Sequence, residues 1–366
     1  MAVTLLDLRR HAVARSLFPP TTLLAAMRAL GFVQADPIRA PARAQDLTLR
    51  HRVRDYRAGD LERRYPRLPL EEDFFINYGF LPREVQQLMH PRRPRRAWAT
   101  RDRRRAAALL AFVRERGTVH PREVDASFAH GRVTNYWGGA SSATTHLLDA
   151  MQYRGLLRVV RRDRGIRLYA AQEPFPRPAS ASEKRARLDG VVDLLVGKYA
   201  PLPERSLRAL VSRLRYAVPQ WTADLPAAWR RAKRRLAQDR LDGALWFWPE
   251  GEQPSGAAVD DGVRLLAPFD PVVWDRHRFE LFWGWPYRFE AYTPLAKRKL
   301  GYYALPLLWR DAVLGWANVS LKDGRAVADV GFVAGGAPRE HGFRVALEAE
   351  MERLQRFLGA ASNAST

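Results

Sequence analysis

A pattern of three helices followed by a hairpin occurs twice in this chain, with basic residues in the third helix or in the hairpin, and it constrains the fold more than any other feature. In its first occurrence, helices are predicted at 106–116, from His120 onward, and after a cap at Ser141 or Ser142, with a loop at 137–139. Residues 156–160 and 166–170 then form a hairpin whose tip is the basic stretch 161–165. This order is typical of a winged helix, whose third helix enters the DNA major groove while the wing follows the backbone.

The second occurrence follows a linker rich in proline, alanine and serine at 174–182. Helices are predicted at 183–198, 203–215 and 226–238, and the third of them is strongly basic. A hairpin is predicted to pair 244–248 with 262–266. The N-terminal region is a candidate for a third such unit, since it begins with a helix, a short loop and a second helix over 4–30.

From about residue 268 the pattern changes to aromatic strands, predicted at 287–292, 302–309, 312–321 and 326–333, and a final helix at 340–358. The predicted fold class is therefore α+β, mainly α, with tandem winged-helix domains and a C-terminal β-rich domain. The predicted domains are 1–91, 92–178, 179–267 and 268–366.

The charge of the chain indicates a polyanionic partner. Net charge is +22, and only six of the 61 basic residues are lysines. Such an excess favours nucleic acid or an acidic membrane. No apolar run approaches 18 residues and the N-terminus does not resemble a signal peptide, so a cytoplasmic protein that binds DNA and no membrane is expected. The absence of cysteine excludes disulfides, thiol nucleophiles and cysteine zinc sites.

The stretch 31–38 contains the candidate catalytic residues. It reads as a short apolar strand that ends at Pro37, and period-two alternation would place Gln34 and Asp36 on one face. The simpler interpretation is a strand end with two solvated polar side chains. The chain has no Walker loop, no dinucleotide fingerprint and no helical His-Glu-x-x-His pair, so no other constellation competes with this one.

One carboxylate and one amide are enough for a particular glycosidic reaction. A second carboxylate is needed only when the leaving group must be protonated. A guanine alkylated at N7 already carries positive charge, so a Gln–Asp pair suits a monofunctional DNA glycosylase acting on alkylpurines. Two alternatives remain open at this point: a non-enzymatic winged-helix DNA-binding protein such as a regulator, and a metal-dependent nuclease.

Several blocks of this sequence resemble the YcaQ/AlkZ-type winged-helix DNA glycosylases, a family that unhooks interstrand crosslinks. The resemblance covers nearly the whole chain and rests on the blocks 30–38, 42–44, 47–49, 80–82, 268–276 and 297–306. It implies tandem winged helices that form a DNA-facing surface. It also implies that Gln34 and Asp36 are catalytic and that no metal or cofactor is required. Gln34-Ala35-Asp36 is similar to the Asp version of the family motif, found in the branch with the broader range of N7-alkylguanines and crosslinks.

The expected partner is double-stranded DNA that contains alkylated or crosslinked purines, bound by a monomer. Many YcaQ-like members have two histidines where this chain has Gln45-Asp46, and a Trp-Ala-His stretch where it has residues 74–76, so no role of those histidines carries over. The residues predicted to contact DNA are Arg43, Arg50, His51, Arg52, Thr144, Arg161, Arg162 and Arg164.

Overall fold

The structure is a computed structural model that describes residues 3–94, 96–128, 130–134 and 140–359. It has a mixed α+β architecture. The loop predicted at 137–139 lies outside the described residues. The helices are α1 Leu5–Ser16, α2 Leu23–Leu30, α3 Ala44–Leu49, α4 Asp60–Arg64, α5 Arg83–Met89, α6 Thr100–Arg116, α7 Pro121–Phe128, α8 Ala143–Tyr153, α9 Ala181–Tyr199, α10 Glu204–Arg213, α11 Leu225–Arg235, α12 Arg276–Trp283 and α13 His341–Leu358.

The strands are short in the first half of the chain and longer near its end. They are β1 Val33–Gln34, β2 Leu70–Phe74, β3 Tyr78–Pro82, β4 Thr118–Val119, β5 Arg132–Thr134, β6 Ala140–Ser142, β7 Leu157–Asp163, β8 Ile166–Ala171, β9 Leu202–Pro203, β10 Leu236–Leu241, β11 Ala244–Pro249, β12 Val263–Leu265, β13 Leu305–Trp309, β14 Ala312–Lys322 and β15 Arg325–Phe332.

The chain groups into two compact units. The first unit consists of Met1–Leu61, Asp193–Leu210 and Arg231–Thr366, and the second of Glu62–Val192 and Val211–Arg230. The boundaries fall within α4, α9, α10 and α11. The division of the chain into four domains at 91, 178 and 267 stays a prediction.

In the first unit, helix ends follow local chemistry. Thr4 caps α1 by accepting the Asp7 N–H at 3.1 Å, while the Asp7 carboxylate accepts the Thr4 N–H at 2.9 Å. Thr22 caps α2, since its side chain accepts the Ala25 N–H. Gly31 ends α2 with a φ of +63°, and a Cβ there would lie 2.4 Å from the Leu194 side chain, so both conformation and space require glycine.

The main sheet of the first unit is antiparallel, in the order β12-β13-β14-β15. β14 and β15 are joined at Asp323-Gly324, where both residues have positive φ, as a two-residue hairpin turn requires. Helix α13 contacts β12 and β15. A core of buried apolar side chains lies beneath the sheet, with Val272, Val273, Phe279 and Leu308 among its members.

In the second unit, α6, α7 and α8 are followed by the hairpin β7–β8, and β4 adds to β8 to give a three-stranded antiparallel sheet. Ser142 caps α8 by accepting the Thr144 and Thr145 N–H groups, which selects between the two predicted caps. The turn of the hairpin lies at Arg164-Gly165, where both residues have positive φ. The predicted element order is confirmed over this region, although α6 begins at Thr100 rather than at residue 106.

One predicted strand pairing and one predicted strand are wrong. Residues 244–248 belong to β11, but β11 pairs with β10 and β9, whereas β12 at 263–265 pairs with β13. The third basic helix, predicted to reach 238, stops at Arg235 because β10 begins at Leu236.

Residues 287–292 form no strand and instead run through a loop that also contains the short helical turn Leu295–Lys297. Helix α12 was not predicted. Across the described ranges, no helix combines the length and apolar character needed to cross a bilayer.

Candidate active site

Gln34 is the last residue of β1, and its side chain is held by a distant tryptophan. Only 6% of Gln34 is exposed, and its Oε1 accepts the indole N–H of Trp274 at 2.8 Å. Because this bond identifies the oxygen end of the amide, the NH₂ group is the end left to donate elsewhere. The strand predicted over 31–38 is only Val33–Gln34. Asp36 lies in the loop that follows, so the prediction that strand alternation places Gln34 and Asp36 on one face is wrong.

Asp36 is buried in that loop, with 8% of its surface exposed. Its Oδ1 accepts the Ile38 N–H at 2.8 Å. This Asx-type turn holds the carboxylate against the backbone two residues further along the chain. Its own N–H donates to Oε1 of Gln45 at 3.3 Å. In the described part of the chain no arginine or lysine forms an ion pair with Asp36, although the protein carries a net charge of +22.

This environment changes the acidity of the carboxyl group. Burial raises the pKa of Asp36 above its ordinary value, and the hydrogen bond from Ile38 offsets only part of that rise. A raised pKa makes an ionised carboxylate a better proton acceptor. A carboxylate with no paired cation also keeps its charge available for a cation that develops beside it.

Aromatic side chains lie next to Asp36. Tyr303 is 3% exposed, and its hydroxyl is buried with no hydrogen-bond partner among the described residues. Burial raises the pKa of the Tyr303 phenol, and the Asp36 charge raises it further. Tyr292 is 67% exposed, and its pKa is raised by burial and by Asp36. The Phe289 ring contacts Tyr303 at 5.1 Å and Tyr292 at 6.0 Å between centroids.

Helix α3 lies against the loop that carries Asp36. Gln45 and Asp46 at its start are 1% and 4% exposed, and Asp46 accepts the Tyr56 hydroxyl at 2.7 Å. Burial raises the pKa of Asp46. The Gln45 amide oxygen accepts the Asp36 N–H, so α3 holds the backbone of the loop that carries Asp36.

A buried cationic pair lies behind β1. Lys198 donates from Nζ to the carbonyl of Phe32, and burial lowers the pKa of Lys198 to about 7, with the Arg52 charge acting in the same direction. Arg52 itself forms two hydrogen bonds to Asp270, at 2.7 and 3.0 Å, and also donates to the carbonyls of Ser16 and Thr48.

Several predicted DNA contacts do not fit the structure. Arg52 and Thr144 are both 0% exposed, so neither has surface to offer a phosphate. Arg162 is held by Glu72 at 2.6 Å and is largely covered. His51 is buried and its ring N–H donates to the Leu265 carbonyl at 3.0 Å. Its pKa is well below the ordinary value because of burial and the neighbouring Arg50.

The other predicted DNA contacts have solvent-accessible surface or lie among other basic side chains. Arg161 and Arg164 are exposed at the tip of the β7–β8 hairpin. Arg43 precedes α3 and is half-buried. Arg50, at the end of α3, is bound to Glu350 at 2.5 Å and lines a basic cavity.

Sequence reasoning missed Trp274, Gln45, Tyr292 and Tyr303. A signal for two of them was present, because the blocks 268–276 and 297–306 contain Trp274 and Tyr303. Over the described ranges, no three His, Asp or Glu side chains converge closely enough to hold a metal ion.

Comparison with known proteins gives two matches. Residues 27–357 match the model of a family described as DNA glycosylase AlkZ-like. The fold is similar to that of the Streptomyces sahachiroi DNA glycosylase AlkZ, with a TM-score of 0.62 at 14% sequence identity, over 98% of this chain and 97% of that one. At this identity the second match bears on the fold alone, whereas the family match extends over nearly the whole chain.

Proposed function

Because the chain belongs to the AlkZ-like DNA glycosylase family, we propose that it is a monofunctional DNA glycosylase that hydrolyses the N-glycosidic bond of N7-alkylated purines and unhooks interstrand crosslinks. Water is the proposed nucleophile and no metal takes part. The observation that carries the proposal is the state of Asp36: a buried carboxylate with a raised pKa and no cationic partner in the described chain, beside a fixed glutamine amide.

The proposed reaction needs no acid to protonate the leaving group. The bond between C1′ and N9 of the alkylated purine breaks, and its electron pair neutralises the positive charge on the base. The deoxyribose becomes an oxocarbenium-like cation, which the Asp36 carboxylate stabilises. Water then attacks C1′ and gives a proton to Asp36, which leaves a free alkylpurine and an abasic site.

The neighbouring groups have supporting roles in this proposal. The NH₂ end of Gln34 holds the water or the sugar, since its oxygen end is engaged by Trp274. Tyr292 has an exposed ring, and it lies close enough to Asp36 for the carboxylate charge to raise its pKa. An aromatic face of this kind attracts a cationic purine.

DNA binding is assigned to the basic elements. We propose that the α6–α8 and β7–β8 region acts as a winged helix, with Arg161 and Arg164 at the wing tip as phosphate contacts. Arg43, before α3, is proposed as a phosphate contact close to the catalytic loop.

Release of 7-methylguanine from N7-methylated duplex DNA tests the proposal. Asp36→Asn should slow release by about 100-fold or more, the range of a lost proton acceptor. Its fold should persist, because the raised pKa of Asp36 means that the ionised carboxylate destabilises the folded protein at neutral pH. Asp329→Asn, which changes an exposed carboxyl on β15, is the matched control.

A different outcome would favour the non-enzymatic alternative. If wild-type protein binds duplex DNA but releases no base, or if Asp36→Asn releases as much as wild type, the enzymatic proposal fails. A regulator would instead prefer one DNA sequence, which a binding selection on random duplexes would reveal.

A further inference from the structure

A cavity of about 420 Å³ in the first unit is unusually rich in arginine. It lies where the chain leaves α3, and it is also bordered by β12 and by the last turns of α13. Among the described residues that line it, Asp55 is the one acid. The arginines are Arg50, Arg54, Arg57, Arg264, Arg353 and Arg356.

Aromatic rings form one side of the cavity. Tyr56 and Phe357 are stacked with ring centroids 6.3 Å apart and an interplanar angle of 17°. The Arg50 guanidinium lies 5.8 Å from the Phe357 ring centroid. Both rings are nearly fully buried, so this side of the cavity is rigid.

Half of the arginines are held by carboxylates and half face solvent. Glu350 is shared by Arg50 at 2.5 Å and Arg353 at 3.0 Å, and Asp260 accepts from Arg264 at 2.8 Å. Arg54 and Arg57 are exposed, and Arg356 is 3.9 Å from the exposed Glu352, a pair that contributes little.

The cavity keeps an excess of positive charge after these pairs are counted. Six arginines meet four carboxylates, those of Asp55, Asp260, Glu350 and Glu352. The same excess acts on a nearby titratable group: besides burial, Arg50 and Arg264 lower the pKa of His51. One donor also has no partner in the described chain, the buried Nε of Arg50.

We propose that this cavity is a phosphate-binding site, separate from the site around Asp36. Guanidinium groups form paired hydrogen bonds with phosphate oxygens and lose little hydration when they do so. Gln45 at one end of α3 contacts the catalytic loop, and Arg50 at the other end lines the cavity. Six helical residues span roughly 9 Å. A phosphate of bound DNA is one source of the ligand, and a free polyphosphate is the other.

The test removes the exposed half of the cluster. Arg54→Gln, Arg57→Gln and Arg356→Gln are combined, and the control combines Arg325→Gln, Arg339→Gln and Arg344→Gln, which removes the same charge from exposed positions elsewhere in the first unit. Duplex binding is measured by fluorescence anisotropy over a range of salt concentrations. For a strand phosphate, we expect the cavity variant to bind about tenfold more weakly than the control variant. For the cavity variant, the slope of log K against log salt concentration should be shallower by about one unit.

Pyrophosphate distinguishes the second source. If the ligand is a free polyphosphate, pyrophosphate should raise the melting temperature of wild type and control but not of the cavity variant, and the two variants should bind duplex equally. Equal duplex binding without any difference in pyrophosphate response would overturn the proposal. The inference goes beyond the proposed reaction, and binding by Asp36→Asn protein should show the same dependence on the cavity arginines even if no base is released.

Discussion

At the scale of single residues, the state of Asp36 sets the pH dependence expected for base release. In the proposed reaction the ionised carboxylate is the active form, and burial raises its pKa above the ordinary aspartate value near 4. Release should therefore fall as pH drops through this raised pKa, by about tenfold per unit below it. The acid limb should lie clearly above pH 4.

Single-turnover release from N7-methylated duplex between pH 4 and 8, at saturating protein, measures this limb. The spontaneous loss of base from the same DNA is subtracted at each pH. A rate that stays constant down to pH 4 would show that no buried carboxylate with a raised pKa controls the step.

At the scale of elements, the loop between β12 and α12 brings Trp274 to a glutamine 240 positions earlier in the chain. Trp274→Phe should keep the ring packing and remove the hydrogen bond to Gln34. A hydrogen bond of this kind contributes about 0.5–1.5 kcal/mol, which corresponds to a roughly 2- to 10-fold slower release. Single-turnover kinetics measure the rate, and anisotropy should show unchanged DNA affinity.

Trp283→Phe is the matched control, because its indole N–H donates to the Asp311 carbonyl at 2.9 Å in the same unit. If both variants slow release equally, the effect is a general loss of stability and the assigned role of Trp274 is wrong.

A second element-level prediction concerns the buried ion pair that joins the end of α3 to the loop before α12. Arg52→Met leaves the Asp270 carboxylate, which is 0% exposed, without its two guanidinium hydrogen bonds. The expected loss is about 3–5 kcal/mol in the free energy of unfolding, measured in urea. Adding Asp270→Leu to Arg52→Met should restore part of the loss, and a double variant no more stable than the single one would contradict this account.

The elements also show what could be predicted from sequence and why the rest could not. Caps such as Thr22 and Ser142 and turns such as Asp323-Gly324 are local, so the helix–loop–helix start and the β7–β8 hairpin followed from short stretches. The pairing partner of β11 could not be predicted in this way. The stretches on both sides of β11, at 236–241 and 262–266, are suitable partners by sequence, and the choice between them depends on tertiary packing. Gln34 and Asp36 were predicted from their spacing, but Trp274 and Tyr303 reach them from more than 200 residues away along the chain.

At the scale of the whole molecule, the positive charge and the proposed catalytic role of Asp36 imply that DNA binding and lesion selection are separate steps. A net charge of +22 attracts any duplex through its phosphates, which carry no information about damage. The lesion differs from normal DNA by a cationic base, which matters only beside Asp36 and its aromatic neighbours. Selection of the lesion should therefore occur mainly in the chemical step.

If binding and selection are separate, the affinities for undamaged and N7-methylated duplex should differ by less than about tenfold. Both affinities should fall by about 10³-fold or more between 50 and 200 mM salt, because the protein would make six or more phosphate contacts. Anisotropy titrations of matched duplexes with Asp36→Asn protein, which should leave the lesion intact during the measurement, give both quantities. A preference for the lesion that exceeds 100-fold and persists at high salt would place selection in binding, and it would require a lesion-specific contact outside the electrostatic attraction.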